Sequence, residues 1–299
     1  MIQYLYLGRV DYAEVLSLQQ ELVALRQAGR IGNVLLLLEH PPALTLGRNA
    51  SRSNILASDE LLAARGVTLH EINRGGDVTY HGPGQLIGYP IFDLRSLRNA
   101  KGTRLGPVDF VRLMEEALIR LCGEFGVKAG RICGLTGVWC RLRHMQRDGV
   151  LDESCETKAA DQSAGERKIA AIGIHVARGV TSHGFAFNVT TDLRDFTLIN
   201  PCGITDRPVT SLEREVADSG SLPSLEALAY RAALQFGEVF KESVGLVESL
   251  PALRAQAGAN SDSPDPKSPE QEFPANDTPL QIPPEIERLR PRKERPVSA

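Results

Sequence analysis

The stretch DYAEVLSLQQELVALRQAGRIGNVLLLLE, residues 11–39, holds a complete helix and the strand that follows it, and that alternation decides the fold class. Asp11 stands at an N-cap position, Glu14 sits at the capping-box position, and Val15, Leu18, Leu22 and Leu25 form one stripe that Gly29 ends. Residues 34–39 read as a strand and Ala43–Leu46 as another, parted by Pro41 and Pro42, which cannot donate to a central ladder. A helix-like stretch at 58–65 and a strand around 68–72 come next. Pro107 opens a helix with Val111, Met114, Leu118, Leu121 and Phe125 on one face, and Pro223 opens the last one, through about Val244. Residues 168–176 and 184–189, bounded by Gly and polar turns, read as buried or half-buried strands. This succession predicts an α/β (α+β) domain over residues 1–250, a mixed β-sheet flanked by helices.

Two stretches stand outside it. Residues 251–299 are rich in Pro, Ser, Glu and Arg and poor in large apolar side chains, which predicts a disordered tail. A polar stretch at about 141–167 without amphipathic period predicts a surface insertion. With 299 residues, 42% of them hydrophobic, the chain is long enough for a large core, and a net charge of -3 supplies no field for polyanions, so no nucleic-acid partner is expected. The longest apolar run, 34–38, is far short of the roughly 20 residues of a membrane span. The N-terminus lacks a signal-peptide pattern, and the expected location is the cytoplasm. Five cysteines, at 122, 133, 140, 155 and 202, are odd in number and show no CxxC, which suits reduced thiols.

Three blocks carry chemistry. Arg74-Gly75-Gly76-Asp77-Val78-Thr79-Tyr80-His81-Gly82-Pro83-Gly84-Gln85 sets glycines that expose backbone N–H groups among polar side chains able to hold a carbonyl or an oxyanion. A pair of tight turns is the plainer reading, and no Lys stands where a phosphate loop requires one. Lys168-Ile169-Ala170-Ala171-Ile172-Gly173 opens an apolar strand with an amine, either a solvated strand-end lysine or a partly desolvated base, and periodicity does not choose between them. The third block runs from His183-Gly184-Phe185 to Pro201-Cys202-Gly203-Ile204, where a loop cysteine is either a nucleophile or an inert thiol. A triad of Cys202 with His81 or His183 and Asp192 is a rival arrangement, and a zinc set of Cys133, Cys140, His144 and Cys155 fits no usual spacing.

Together these blocks resemble the lipoyl(octanoyl) transferases of lipoate biosynthesis, over nearly all of residues 1–250. The resemblance implies a fold shared with biotin and lipoate ligases, Cys202 as the residue that receives the octanoyl group and Lys168 as its acid/base partner. It further implies substrate contacts from Arg74, Gly75, Gly76, Asp77, Val78, Thr79, Tyr80 and His81, from Ala170, Ala171, Ile172 and Gly173, and from His183, Gly184 and Phe185. The donor it implies is octanoyl-acyl carrier protein, and the acceptors are lipoyl domains of 2-oxoacid dehydrogenases and the glycine cleavage H protein. It implies no cofactor, no metal, no membrane association and a monomer. Two other readings share the fold: an ATP-dependent lipoate or biotin ligase, and a catalytically idle acyl-binding protein.

Overall fold

In a computed structural model of the chain, the described residues are 1–98, 102–141, 165–200 and 207–259. The chain opens with β1 (Ile2–Arg9) and α1 (Tyr12–Gln27), whose N-terminus is capped by Asp11: its carboxylate accepts from the N–H of Ala13 at 2.8 Å and of Glu14 at 3.4 Å. Next are β2 (Asn33–Glu39), β3 (Ala43–Leu46), α2 (Asp59–Ala64), β4 (Thr68–Glu71), β5 (Val78–His81) and β6 (Gln85–Ile91). They are followed by α3 (Pro107–Glu124), β7 (Ala129–Ile132), β8 (Leu135–Arg141), β9 (Glu166–Ala177), β10 (Val180–Asn188), the short α4 (Leu212–Glu215), α5 (Leu225–Phe240), β11 (Val244–Leu246) and α6 (Leu250–Ala259).

Among the described residues, eight strands form one mixed sheet in the order β11-β1-β2-β6-β10-β9-β8-β7, with β1 parallel to β2 and β11 and the other neighbours antiparallel. Helices cover both faces, which is why β2 is apolar without alternation. Its Leu35 and Leu37 join the core beneath α3 and α5, while Val34, Leu36 and Leu38 join the core beneath α1 and α6. All five are fully buried, so truncating any of the leucines to alanine costs about 2–5 kcal/mol. Pro41 and Pro42 turn the chain out of this sheet, and β3 pairs instead with β4 and β5 in a three-stranded sheet. That small sheet has its own apolar cluster, made by Leu44, Leu62, Val78, Tyr80, Leu198 and Ile199 among others.

The predicted mixed α/β architecture is the observed one, but the strands β5 to β8 and β1 were not among the expected elements, and two boundaries differ. β1, which lies between β11 and β2, falls in a segment to which the sequence reading assigned no element. The last long helix ends at Phe240 rather than Val244, because Lys241 takes a left-handed conformation (φ 56°) and frees the chain to add β11 beside β1. Folded structure also extends past residue 250: α6 buries Leu253 and Ala257 against the α1 side of the sheet. Of the insertion predicted at about 141–167, Arg141 and Glu166–Arg167 are strand residues of β8 and β9, and residues 142–164 lie outside the described residues, as do the tail from residue 260 onward, Cys155 and His144. Among the described residues no helix is long and apolar enough to cross a membrane.

Candidate active site

Lys168 reaches its position through an irregularity in β9. Val138 pairs with Ala170 and Trp139 with Lys168, so Ile169 is an extra residue, a β-bulge. Its consequence is visible in burial: Ile169 and Ala170, adjacent in sequence, both enter the core under α3, together with Val138 and Cys140. Residues paired across a ladder share a face, and Trp139 lies between Val138 and Cys140 on the opposite one. The bulge therefore turns Lys168 out of the core and onto the face of Trp139, where its Nζ stands 4.6 Å from the centre of the indole. β10 pairs with β9 only from Ala170 onward, and residues 208–210 take its place alongside Lys168. The Lys168 N–H donates to Pro208 O at 2.9 Å, and the Thr210 N–H donates to Lys168 O at 2.9 Å.

The loop of Arg74, Gly75 and Gly76 is laid across the same strand. The Gly75 N–H donates to Ile174 O at 2.9 Å, and a Cβ on Gly173 would lie 2.7 Å from Gly75 O, so glycine is what permits the approach. Arg74 is buried; its Nη2 donates to Thr45 O at 2.9 Å and Thr45 Oγ1 at 2.8 Å, and its Nη1 to Gly75 O at 3.0 Å. Thr45 connects it to His81, whose Nε2 lies 3.4 Å from the hydroxyl. Gln85 Nε2 donates to Tyr80 O and to Asn188 Oδ1, which leaves Gln85 Oε1 to accept from His81 Nδ1 at 2.9 Å. Asn188 Nδ2 then donates to Thr210 O at 3.0 Å. An unbroken chain of hydrogen bonds thus runs from Arg74 through Thr45, His81, Gln85 and Asn188 to the segment clamped on Lys168.

Both histidines of the site are neutral. Burial, reinforced by His40 and by Arg74, pushes His81 well below the ordinary imidazole range. His183 is lowered to about 3 by burial first and then by Arg74 and His175. Its backbone is left-handed (φ 55°), its N–H donates to Gln19 Oε1 at 2.7 Å, and its Nε2 is 2.8 Å from Asn73 Oδ1. Each imidazole thus has an amide as its partner. Asp192 caps the turn that follows it and pairs with Arg194, so the rival triad has no orienting carboxylate.

The residues singled out from sequence divide into two groups. Arg74, Gly75, Gly76 and Gly173 are in direct contact, Lys168 shares the strand with Ala171 and Gly173, and His183 joins through Asn73. Val78 and Tyr80 belong instead to the small sheet's core, where the Tyr80 hydroxyl donates to Asp195 at 2.6 Å, and Thr79 lies between them opposite Thr45. Asp77 holds Asn54 and its own loop. Ala170 and Phe185 pack in the α3/α5 core with Ile172 against it, Phe185 meeting Phe236 at 5.6 Å, and Gly184 lets β10 approach Gly88. The sequence gives no role to Thr45, Asn73, Trp139, Asn188 or Thr210. Polar residues inside otherwise buried strands, Thr45 in β3 and Asn188 ending β10, were the available signal.

Cys202 and its neighbours Pro201, Gly203 and Ile204 lie outside the described residues. The described residues on either side are anchored: the Asn200 N–H donates to Asn54 O at 2.7 Å, and Pro208 is bonded to Lys168. Among the described residues, no other cysteine competes as a nucleophile. Burial pushes the Cys140 thiol up to about 12 and Cys122 well above its usual range, and Cys133 is disulfide-bonded, against the expectation of reduced thiols.

The lipoyl protein ligase A/B catalytic domain matches residues 11–232. An octanoyltransferase from Acidobacterium capsulatum is 57% identical over 250 residues, covering 83% of this chain and 94% of that relative. One from Koribacter versatilis is 51% identical, covering 84% and 88%. Among solved structures, a bipartite lipoate protein ligase from Thermoplasma acidophilum superposes with a TM-score of 0.57 at 16% identity, over 86% of this chain and 90% of that one. A lipoate-protein ligase A bound with ATP gives 0.55 at 16%, over 87% and 94%. These structures bear on the fold, which they share; the sequence relatives bear on the family. The chain belongs to the lipoyl protein ligase A/B catalytic domain family, among the octanoyltransferases.

Proposed function

We propose that this chain transfers an octanoyl group from octanoyl-acyl carrier protein to a specific lysine of a lipoyl domain, through a thioester on Cys202. Lys168 takes the Cys202 thiol proton as the sulfur attacks the donor thioester; a tetrahedral oxyanion forms and collapses, and the carrier's thiolate leaves with the proton that Lys168 returns. Thioester-for-thioester exchange keeps the acyl group activated. The ε-amine of the acceptor lysine then attacks the acyl-enzyme and loses a proton to Lys168. Amide formation drives the second half, and that proton goes to the departing Cys202 sulfur. The Gly76 N–H is the oxyanion donor this reading uses, since the N–H groups of Gly75 and Lys168 are already bonded, to Ile174 O and Pro208 O. Neutral His81 and His183 shape the pocket and hold its loops, which fits their amide partners.

The observation that carries this reading is the placement of Lys168. A bulge turns it to the face where the Arg74–Gly76 loop crosses β9, and the chain six residues after Cys202 is bonded to its backbone. Acceptors are the lipoyl domains of 2-oxoacid dehydrogenases and the glycine cleavage H protein, and the enzyme acts as a cytoplasmic monomer without cofactor. Incubating the protein with octanoyl-acyl carrier protein alone, with a reductant present, tests the covalent step. An octanoyl mass increment on Cys202 that hydroxylamine removes is the expected result. Its absence under turnover conditions, or acceptor modification that requires ATP, overturns the proposal in favour of a ligase.

A further inference from the structure

Trp139 is the chain's single tryptophan, is almost fully buried, and pairs directly with Lys168 across the β8–β9 ladder. Packing alone accounts poorly for it. Among the described residues its indole N–H is buried without a hydrogen-bond partner, a defect that a phenylalanine filling most of the same space would not have. What the indole does offer is its face, with Lys168 Nζ 4.6 Å from the ring centre and the Arg207 guanidinium carbon 5.8 Å from it. The adjoining backbone is shaped to let the lysine stem pass. Gly137, two residues before Trp139, has φ 124°, and a Cβ there would lie 2.6 Å from Ala170 O and 3.5 Å from Lys168 Cε. The N–H of Gly137 is held by Glu115 Oε1 at 3.0 Å, from a carboxylate buried in α3 and paired with Arg112 and Arg131.

We infer that Trp139 is a positioning residue for Lys168: the indole face, aligned by the bulge and by the Glu115–Gly137 brace, holds the Nζ in one place and stabilises its ammonium form. This rests on the acid/base role proposed for Lys168. A lysine has four rotatable side-chain bonds, and a group that must accept and return a proton at fixed atoms gains from a surface that restricts them. An aromatic face does so without a carboxylate that would hold the proton too tightly to release it. Among the described residues, the charged and titratable groups around this pair include Arg207 over the same ring, Glu166 paired with Arg207 at 3.4 Å, Glu115 behind Gly137, and the Arg167–Glu215 pair with Cys140 across the sheet.

Because Trp139 is the only tryptophan, growth on fluorinated tryptophans alters this ring and no other. Fluorination weakens the negative face stepwise with little change of shape. The titration of Lys168 is then followed by competitive acetylation over a pH series, read by mass spectrometry on the full chain. The midpoint is expected to fall with each added fluorine, by about one pH unit across the series, and the acid limb of the kcat profile to move with it while KM for the donor stays constant. An unchanged midpoint across the series overturns the inference whatever the activity. Full activity of Lys168→Ala would instead defeat the acid/base reading while leaving the contact measurable, so the two failures are distinguishable. Trp139→Phe supplies a second test: a midpoint between those of the unsubstituted and most fluorinated proteins is expected, and one equal to the unsubstituted protein counts against the inference.

Discussion

Asn188 is the link at which the polar chain of the site is most easily cut. Its side chain makes two bonds, accepting from Gln85 Nε2 at 2.9 Å and donating to Thr210 O at 3.0 Å, and it is 4% exposed. Asn188→Ala removes both and leaves a buried carbonyl and a buried amide hydrogen unpaired, at about 1–3 kcal/mol each, or about 2–6 kcal/mol together. For a unit of this size that is a fall in Tm of roughly 4–24 °C. Gln85 keeps its second bond, to Tyr80 O, so the loss should not propagate to His81. It should propagate the other way, because Thr210 is clamped to Lys168 by a backbone bond. Transfer in the Ala variant should therefore show kcat reduced tenfold or more at a temperature where the protein is folded, with KM for the donor little changed. Thermal unfolding followed by circular dichroism, with octanoyl transfer to a lipoyl domain followed by mass spectrometry, reads both. Asn188→Asp, which points a carboxylate oxygen at Thr210 O, should be no milder. A Tm within 2 °C of the parent and an unaltered kcat would refute the idea that this chain supports Lys168.

Other expectations follow from the same geometry. Gly173→Ala pushes a methyl against Gly75 O and should cut transfer severely while costing little more than about 1–3 kcal/mol of stability, since the clash is with a loop; urea unfolding beside a transfer assay separates the two. His40 and His183, lowered to about 4 and about 3, are neutral when folded and ionise when unfolded. Their stabilisation is complete above about pH 6.5 and is lost as pH falls from there toward the folded values, so at pH 5 each contributes about 2 kcal/mol less than at pH 7. Denaturation midpoints measured at both pH values check this, and equal midpoints would contradict it. Tyr80→Phe removes the bond to Asp195 and should cost about 1 kcal/mol without affecting the acyl-enzyme, because the ring belongs to the small sheet's core.

The sequence was most informative where a local rule acts alone. Asp11, Gly29 and the two prolines at 41 and 42 set the bounds of α1 and the divergence of β2 from β3, each by a backbone effect that needs no tertiary partner. It misled where the deciding interaction is distant. β1 has only mild apolar alternation and is a strand because β2 and β11 lie on either side of it. Lys241 ends α5 without a glycine to announce it. At the site, the glycines of the Arg74 block and Gly173 were legible as places of close approach, but their meeting was not, since it joins residues about a hundred apart. Phe185 and Ala170 lie next to motif residues and yet face the core, because adjacency along a strand says nothing about face unless the phase of the pleat is known. That phase is altered at Ile169, and nothing in the residue types reveals it.

The bulge at Ile169 also insulates the site from the chain on its far side. Strand parity is counted from a reference point, and here that point is the pairing of Val138 with Ala170, downstream of the lysine. Because Trp139 and Lys168 are matched directly beside it, the number of residues joining the end of β8 to the start of β9 does not enter the count. Evolution can lengthen or shorten that connection freely, whereas adding or removing one residue between Lys168 and Ala170 would rotate the amine into the hydrophobic core.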